Sequence, residues 1–209
     1  MVNQEMFKSK RINTLTISTV CLLLTLFQNS CQTNAPSKRI TIASSGKVNS
    51  LDPARANTLK ALQLISSLGD TLYELDNDGE LIPKLASKMP VISKDKLKIS
   101  ISLKKNILFH DGTPFDSKAM KFTIERFQRI GTNNYILEKK IKSIETPNKN
   151  TLIINLNKPT SSLEGLLTSV NLTAISPSFY KNHIDKFLNN NFVGTGQYVL
   201  KSFSNEVQI

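Results

Sequence analysis

Leu103-Lys104-Lys105-Asn106-Ile107-Leu108-Phe109-His110-Asp111-Gly112-Thr113-Pro114-Phe115 is the stretch whose reading decides the fold of this chain. Its second half sets four turn formers in succession, Asp111 to Pro114. An aspartate carboxylate accepts from backbone two residues on, glycine tolerates positive φ, and proline fixes its own φ, so the chain must reverse here. Just upstream, Leu97, Ile99, Ile101 and Leu103 alternate with Lys98, Ser100 and Ser102, the pattern of a half-buried strand with one wet face. Just downstream, Asp116 is placed to cap a helix over Ser117 to Ile130, with Met120, Ile124 and Phe127 on its buried face. Strand, turn and helix in one run predict a mixed α/β protein.

The same grammar extends toward the C-terminus. Ile141 to Glu145 and Thr151 to Leu156, joined by Pro147 to Asn150, predict a hairpin. Ser161 with Glu164 forms a capping box for a short helix through Leu167, and Ser176 with Pro177 opens another. Gly194-Thr195-Gly196 predicts a tight turn leading into a strand over Tyr198 to Phe203. Toward the N-terminus, Asp76-Asn77-Asp78-Gly79 is a turn between extended segments; it lacks the further ligands a calcium loop needs. A helix is expected from Thr58 to Leu68, with Leu59, Leu62, Ile65 and Leu68 as its apolar stripe and Gly69 at its end. Leu51-Asp52-Pro53 makes a rigid turn before it, and Arg39 to Ala43, rich in Ile and Thr, is expected to be the first strand.

The 209 residues carry a formal charge of +11, which raises the question of nucleic acid. The cations are scattered in ones and twos, as at Lys94, Lys96 and Lys98 or Lys104 and Lys105, so a solvated face is the better reading. At the N-terminus, Lys8, Lys10 and Arg11 precede an apolar stretch from Ile12 to Phe27 that is too short and too rich in Thr and Ser for a membrane span. That order is a secretory signal, predicted over residues 1–30. Cys31 after Ser30 resembles a lipidated cysteine, although Gln28 and Asn29 depart from the usual lipobox, and residues 31–38 form a tether. Cys21 lies inside the signal, so the mature chain keeps at most one cysteine and no disulfide is expected.

No enzyme is expected. Gly-x-Ser-x-Gly, Gly-x-Gly-x-x-Gly and a phosphate loop are all absent, and His110 beside Asp111 has no nucleophile motif to serve. His110 and His183 lack the neighbours of a metal site, so neither a metal nor a cofactor is expected.

An ordered series of segments resembles one family, the large peptide-type solute-binding proteins of ABC transporters, family 5. The series runs through Asn49-Ser50-Leu51-Asp52-Pro53-Ala54, Asp70-Thr71-Leu72-Tyr73-Glu74-Leu75 and Gly79-Glu80-Leu81-Ile82-Pro83-Lys84-Leu85-Ala86. It continues through the Leu103 to Phe115 stretch to Val193-Gly194-Thr195-Gly196-Gln197-Tyr198-Val199-Leu200. The resemblance implies a type II periplasmic-binding-protein-like clamp of two lobes, with 39–69 and 177–209 in the first lobe, 70–176 as an inserted domain, and the second lobe missing. It implies export to the periplasm or the outer side of the membrane, ABC permease subunits as partners, and a peptide as ligand, with nickel or haem as the alternatives within the family. Asn57, Thr58 and Leu59 stand where oligopeptide binders line the cleft with backbone, and Tyr135 aligns approximately with a ligand-contacting tyrosine. A single wall of a clamp is not expected to hold a ligand alone, and the edges near Ile40 and Val199 are expected to lack strand partners.

Overall fold

The computed structural model describes residues 39–43, 45–160 and 163–204. The chain divides into two units, Met1–Ser44 and Ser45–Ile209. The signal, the tether and Cys31 lie outside the described residues, as does the cap expected at Ser161. In the first unit residues 39–43 form no strand, and Ile40 and Ile42 are exposed. This corrects the expected first strand: β-propensity fits a residue to a sheet, but only a ladder partner makes a short run a strand.

In the second unit, β1 (Tyr73–Leu75) and β2 (Leu81–Pro83) form an antiparallel pair. Their turn closes through the Asp76 carboxylate, which accepts from the amides of Asp78 and Glu80. A second, four-stranded antiparallel sheet contains β3 (Val91–Ile92), β4 (Lys98–Ser102), β5 (Ile141–Asn148) and β6 (Thr151–Leu156) in the order β3-β4-β6-β5. The alternation in β4 is realised as expected, with Ile99 and Ile101 buried and the serines half-buried. The expected hairpin is β5–β6, with β5 running on to Asn148 through two register shifts.

Helix α1 (Leu59–Leu68) starts at Thr58, whose hydroxyl accepts from the Ala61 amide. Its buried stripe is Ala61, Ile65 and Leu68, while Leu59 is 69% exposed. The expected place of Leu59 in the stripe is thus corrected: the first helical residue sits a half-turn away from the face that Ala61 and Ile65 define. Helix α2 (Ser117–Ile130) is capped by Asp116, whose carboxylate accepts from the Ala119 amide at 2.9 Å. Its residues Met120, Ile124 and Phe127 are buried with Ile99, Ile101, Leu152 and Ile154 of the sheet, each such side chain contributing about 1.5–3 kcal/mol of burial. Short helices α3 (Leu163–Leu166), α4 (Pro177–Asn182) and α5 (Asp185–Leu188) follow, with 3₁₀ turns at Asn134–Ile136 and Val170–Leu172. Ser176 caps α4 as its sequence predicts.

Two apolar clusters result. The larger draws on residues from Leu72 to Ala174, plus Ala54; the smaller combines Val48 to Leu68 with Ile175 to Phe192. Residues 198–203 form no strand, a second correction, and Tyr198 and Val199 stand exposed without a ladder. The Gly194-Thr195-Gly196 turn itself is well built: the Gly196 amide donates to the Leu68 carbonyl, and the Thr195 hydroxyl to Asp70.

Candidate functional site

Asn57, Thr58 and Leu59, three of the residues expected to meet a ligand, lie at the end of a loop that is bonded along its length. At its start, the Ser50 hydroxyl donates to the Asn189 side chain and the Leu51 amide to the Asn189 carbonyl. Asp52 is fully buried and receives both terminal nitrogens of Arg126, at 2.7 and 2.6 Å, in a two-pronged pair. This planar fork is the geometry in which a guanidinium and a carboxylate satisfy each other best. Asn171 gives its two amide protons to the Pro53 and Ala56 carbonyls, at 2.6 and 2.9 Å. Thr132 bonds the Ala54 and Arg55 carbonyls, and the Arg55 guanidinium reaches Asp185.

The last step belongs to Asn49. Its side-chain oxygen accepts from the Asn57 amide at 3.1 Å and from the Thr58 amide and hydroxyl at 3.2 Å, while its side-chain nitrogen donates to the Arg55 carbonyl at 2.8 Å. Asn57 and Leu59 are exposed and Thr58 is half-buried. Tyr135, 67% exposed, sits on the 3₁₀ turn just after Thr132, so the structure brings its segment beside Ala54 and Arg55. Neither Asn49 nor Arg126 is singled out by the sequence. Asn49 opens a segment whose Leu-Asp-Pro reads as a turn, and Arg126 is one among 27 Lys and Arg.

Tyr180 lies beneath the buried pair, with the Arg126 guanidinium carbon 5.0 Å from its ring centroid. Burial pushes its phenol well above the usual range, and the neighbouring Asp52 carboxylate pushes it the same way. Asp111 holds a second polar knot. Its carboxylate accepts from the hydroxyls of Thr113, Ser176 and Ser178 and from the Thr113 amide. Partial burial works against its charge, but these donors outweigh it and hold the carboxyl below the usual range. Lys84, bonded to Glu74 at 2.6 Å and facing Asp70, is held above the ordinary lysine value, chiefly by that Glu74 bond.

His110 is engaged by backbone groups. Its Nε2 bonds the Gly196 carbonyl at 2.7 Å and its amide donates to the Gly194 carbonyl, so it joins two turns. His183 bonds the Phe179 carbonyl through Nδ1 and stacks on Phe187. Among the described residues no cluster of three His, Cys, Asp or Glu could hold a metal ion, and no helix is long and apolar enough to cross a membrane. A shallow open cavity of about 260 Å³ between the starts of α2 and α4, lined by Thr113, Lys118, Phe122 and Lys181 among others, includes none of the expected ligand residues.

Residues 80–209 match the family profile described as bacterial extracellular solute-binding proteins, family 5 middle. The chain is 29% identical over 169 residues to a glutathione-binding protein, GsiB, of Escherichia coli O1:K1, an alignment covering 80% of this chain and 33% of that protein. Among solved structures, OppA of Listeria monocytogenes bound to peptide superposes with a TM-score of 0.71 at 22% identity, covering 78% of this chain and 36% of that one. NikZ of Campylobacter jejuni in complex with Ni(L-His) gives 0.67 at 28% identity, covering 76% and 32%. The fold is therefore that of the periplasmic binding proteins, with mixed α/β content, and the chain spans about a third of the length of the relatives it matches.

Proposed function

Because the chain belongs to the bacterial extracellular solute-binding proteins of family 5, we propose that it serves outside the cytoplasm in the solute receptor of an ABC importer, with short peptides as its solutes. The observation that carries the peptide reading is the loop from Asn49 to Leu59. Its backbone is held by side chains on several sides while Asn57 and Leu59 stay exposed, which suits a wall whose shape is set before an extended peptide lies along it. Two relatives carry names that agree, one a glutathione-binding protein and one solved with peptide bound. In this proposal Asn57, Thr58, Leu59 and Tyr135 meet the ligand, residues 70–176 form the inserted domain, and 39–69 with 177–209 belong to the first lobe. The two apolar clusters support that division. The reading also includes a signal over residues 1–30, lipid attachment at Cys31 and permease subunits as partners, with no catalytic role.

A nickel complex is the second reading, favoured by the likeness to NikZ solved with Ni(L-His).

Calorimetry on the product of the whole reading frame, with tri-alanine, glutathione and the nickel–histidine complex as separate probes, distinguishes these. We expect tri-alanine or glutathione to bind and Asn57→Asp with Tyr135→Ala to weaken binding. A nickel–histidine complex that binds while both peptides fail overturns the peptide reading, and unchanged peptide affinity in the double variant overturns the site. Mass spectrometry of the mature N-terminus tests export: an intact Met1 in a cytoplasmic pool would sink it.

A further inference from the structure

We propose that Asn49 is the positioning residue of the ligand wall, setting the backbone of Arg55 to Thr58 in the shape the ligand meets; this rests on the reading that Asn57 to Leu59 form that wall. One side chain makes all four bonds: the carboxamide oxygen gathers three donors from Asn57 and Thr58, and the amide group closes on the Arg55 carbonyl. Only a carboxamide does both at once. An aspartate keeps the acceptor but sets a carboxylate oxygen against the Arg55 carbonyl, a glutamine carries its head one methylene too far, and a serine is too short to span from Asn57 to Arg55.

The rest of the loop leaves this task to Asn49. Asp52 is anchored on Arg126, and the Pro53 and Ala56 carbonyls are taken by Asn171. The Ala54 carbonyl accepts from the Thr132 amide. Beyond Ala56, Asn49 supplies the side-chain bonds to the Asn57 and Thr58 amides. Thr58 in turn caps α1, so the same contact fixes where the helix begins. A wall binds tightly only if its backbone already has the shape the ligand meets, since ordering it at the moment of binding is subtracted from the affinity.

The test reads position and binding separately. In the chain carrying Asn49→Ala, amide exchange followed by NMR should accelerate on the order of 10-fold at Asn57 and Thr58, while Ile124 and Ile154 in the core stay within about twofold. Asn49→Asp, which retains the acceptor, should restore most of the protection at Asn57 and Thr58. In the product of the whole reading frame, Asn49→Ala should raise the Kd for tri-alanine or glutathione on the order of 10-fold. Unchanged exchange at Asn57 and Thr58, or acceleration of every amide together, overturns the positioning role. Faster local exchange with an unaltered Kd overturns its part in binding. An unaltered Kd in Asn57→Asp instead overturns the wall itself and leaves the backbone role of Asn49 standing.

Discussion

Replacing Arg126 by Met leaves the Asp52 carboxylate, wholly buried, without its forked partner. Breaking a buried pair typically costs about 3–5 kcal/mol, and because Arg55 Nε stays 3.9 Å from the same carboxylate, urea unfolding should show a loss near the lower end of that range. Adding Asp52→Asn to the same chain should return part of it, because the neutral amide no longer needs a cation; a double variant as unstable as the single one would show that the pair acts by packing alone. Tyr180 yields a prediction in pH. Its phenol titrates above its ordinary value of 10.0 in the folded chain, so above about pH 10 the unfolded chain releases a proton that the folded chain retains. Stability is complete below that pH and falls as pH rises toward the folded value. Tyr180→Phe should flatten this decline in alkaline unfolding followed by circular dichroism, and an unchanged slope would refute it. At this scale the sequence is half legible. Asp52 beside Pro53 announces a turn, but which of many cations lies opposite a carboxylate 74 positions away is a matter of tertiary packing that no local pattern encodes.

The glycines of the second turn show how elements are held together. A Cβ at Gly196 would lie 2.5 Å from the Leu68 carbonyl carbon and 2.7 Å from the Gly69 nitrogen, both backbone atoms at the end of α1 that have little room to shift. Gly196→Ala should therefore destabilise by about 1–3 kcal/mol, the usual cost of overpacking. Gly165, inside α3, meets nothing within 4 Å, and Gly165→Ala should stabilise by about 0.5–1 kcal/mol through helix propensity. Thermal unfolding of the two variants checks both signs, and equal effects would refute the close-approach account. Elements whose evidence is local are legible from the sequence: α2 runs between the residues its cap and its stripe predict, and β4 alternates as its sequence does. The expected strand over 198–203 fails because a ladder is a relation between segments, and that segment's own residues carry only the preference for one. Leu59 fails for a smaller reason, since a stripe read by spacing fixes a face but not the residue at which the helix enters it.

At the scale of the molecule, the proposed ligand wall is open, and the cavity between the starts of α2 and α4 is lined by none of its residues. A ligand is gripped when its surface is largely withdrawn from water, commonly about 70–90% for small molecules, and an open wall cannot do this. Calorimetry on the chain by itself should accordingly give a Kd for tri-alanine weaker than about 1 μM; tighter binding would show that this wall carries the affinity unaided. The fold class and the order of the signature segments are readable at this scale, whereas the crossing of one loop between two cores is not: Ala54 joins one cluster while Leu51 and Ala56 join the other. That loop has a consequence for how such a protein can change over generations. Connecting segments usually absorb insertions and deletions freely. Here one added residue between Ser50 and Thr58 would move Asp52 off Arg126, or Ala56 off Asn171, or Asn57 off Asn49, whichever side it fell on. The segment looks like a linker by composition, yet its length is as unforgiving as that of a core strand. Drift in chain length is instead free to gather at turns such as Asp76 to Gly79, where the reversal is closed by its own residues.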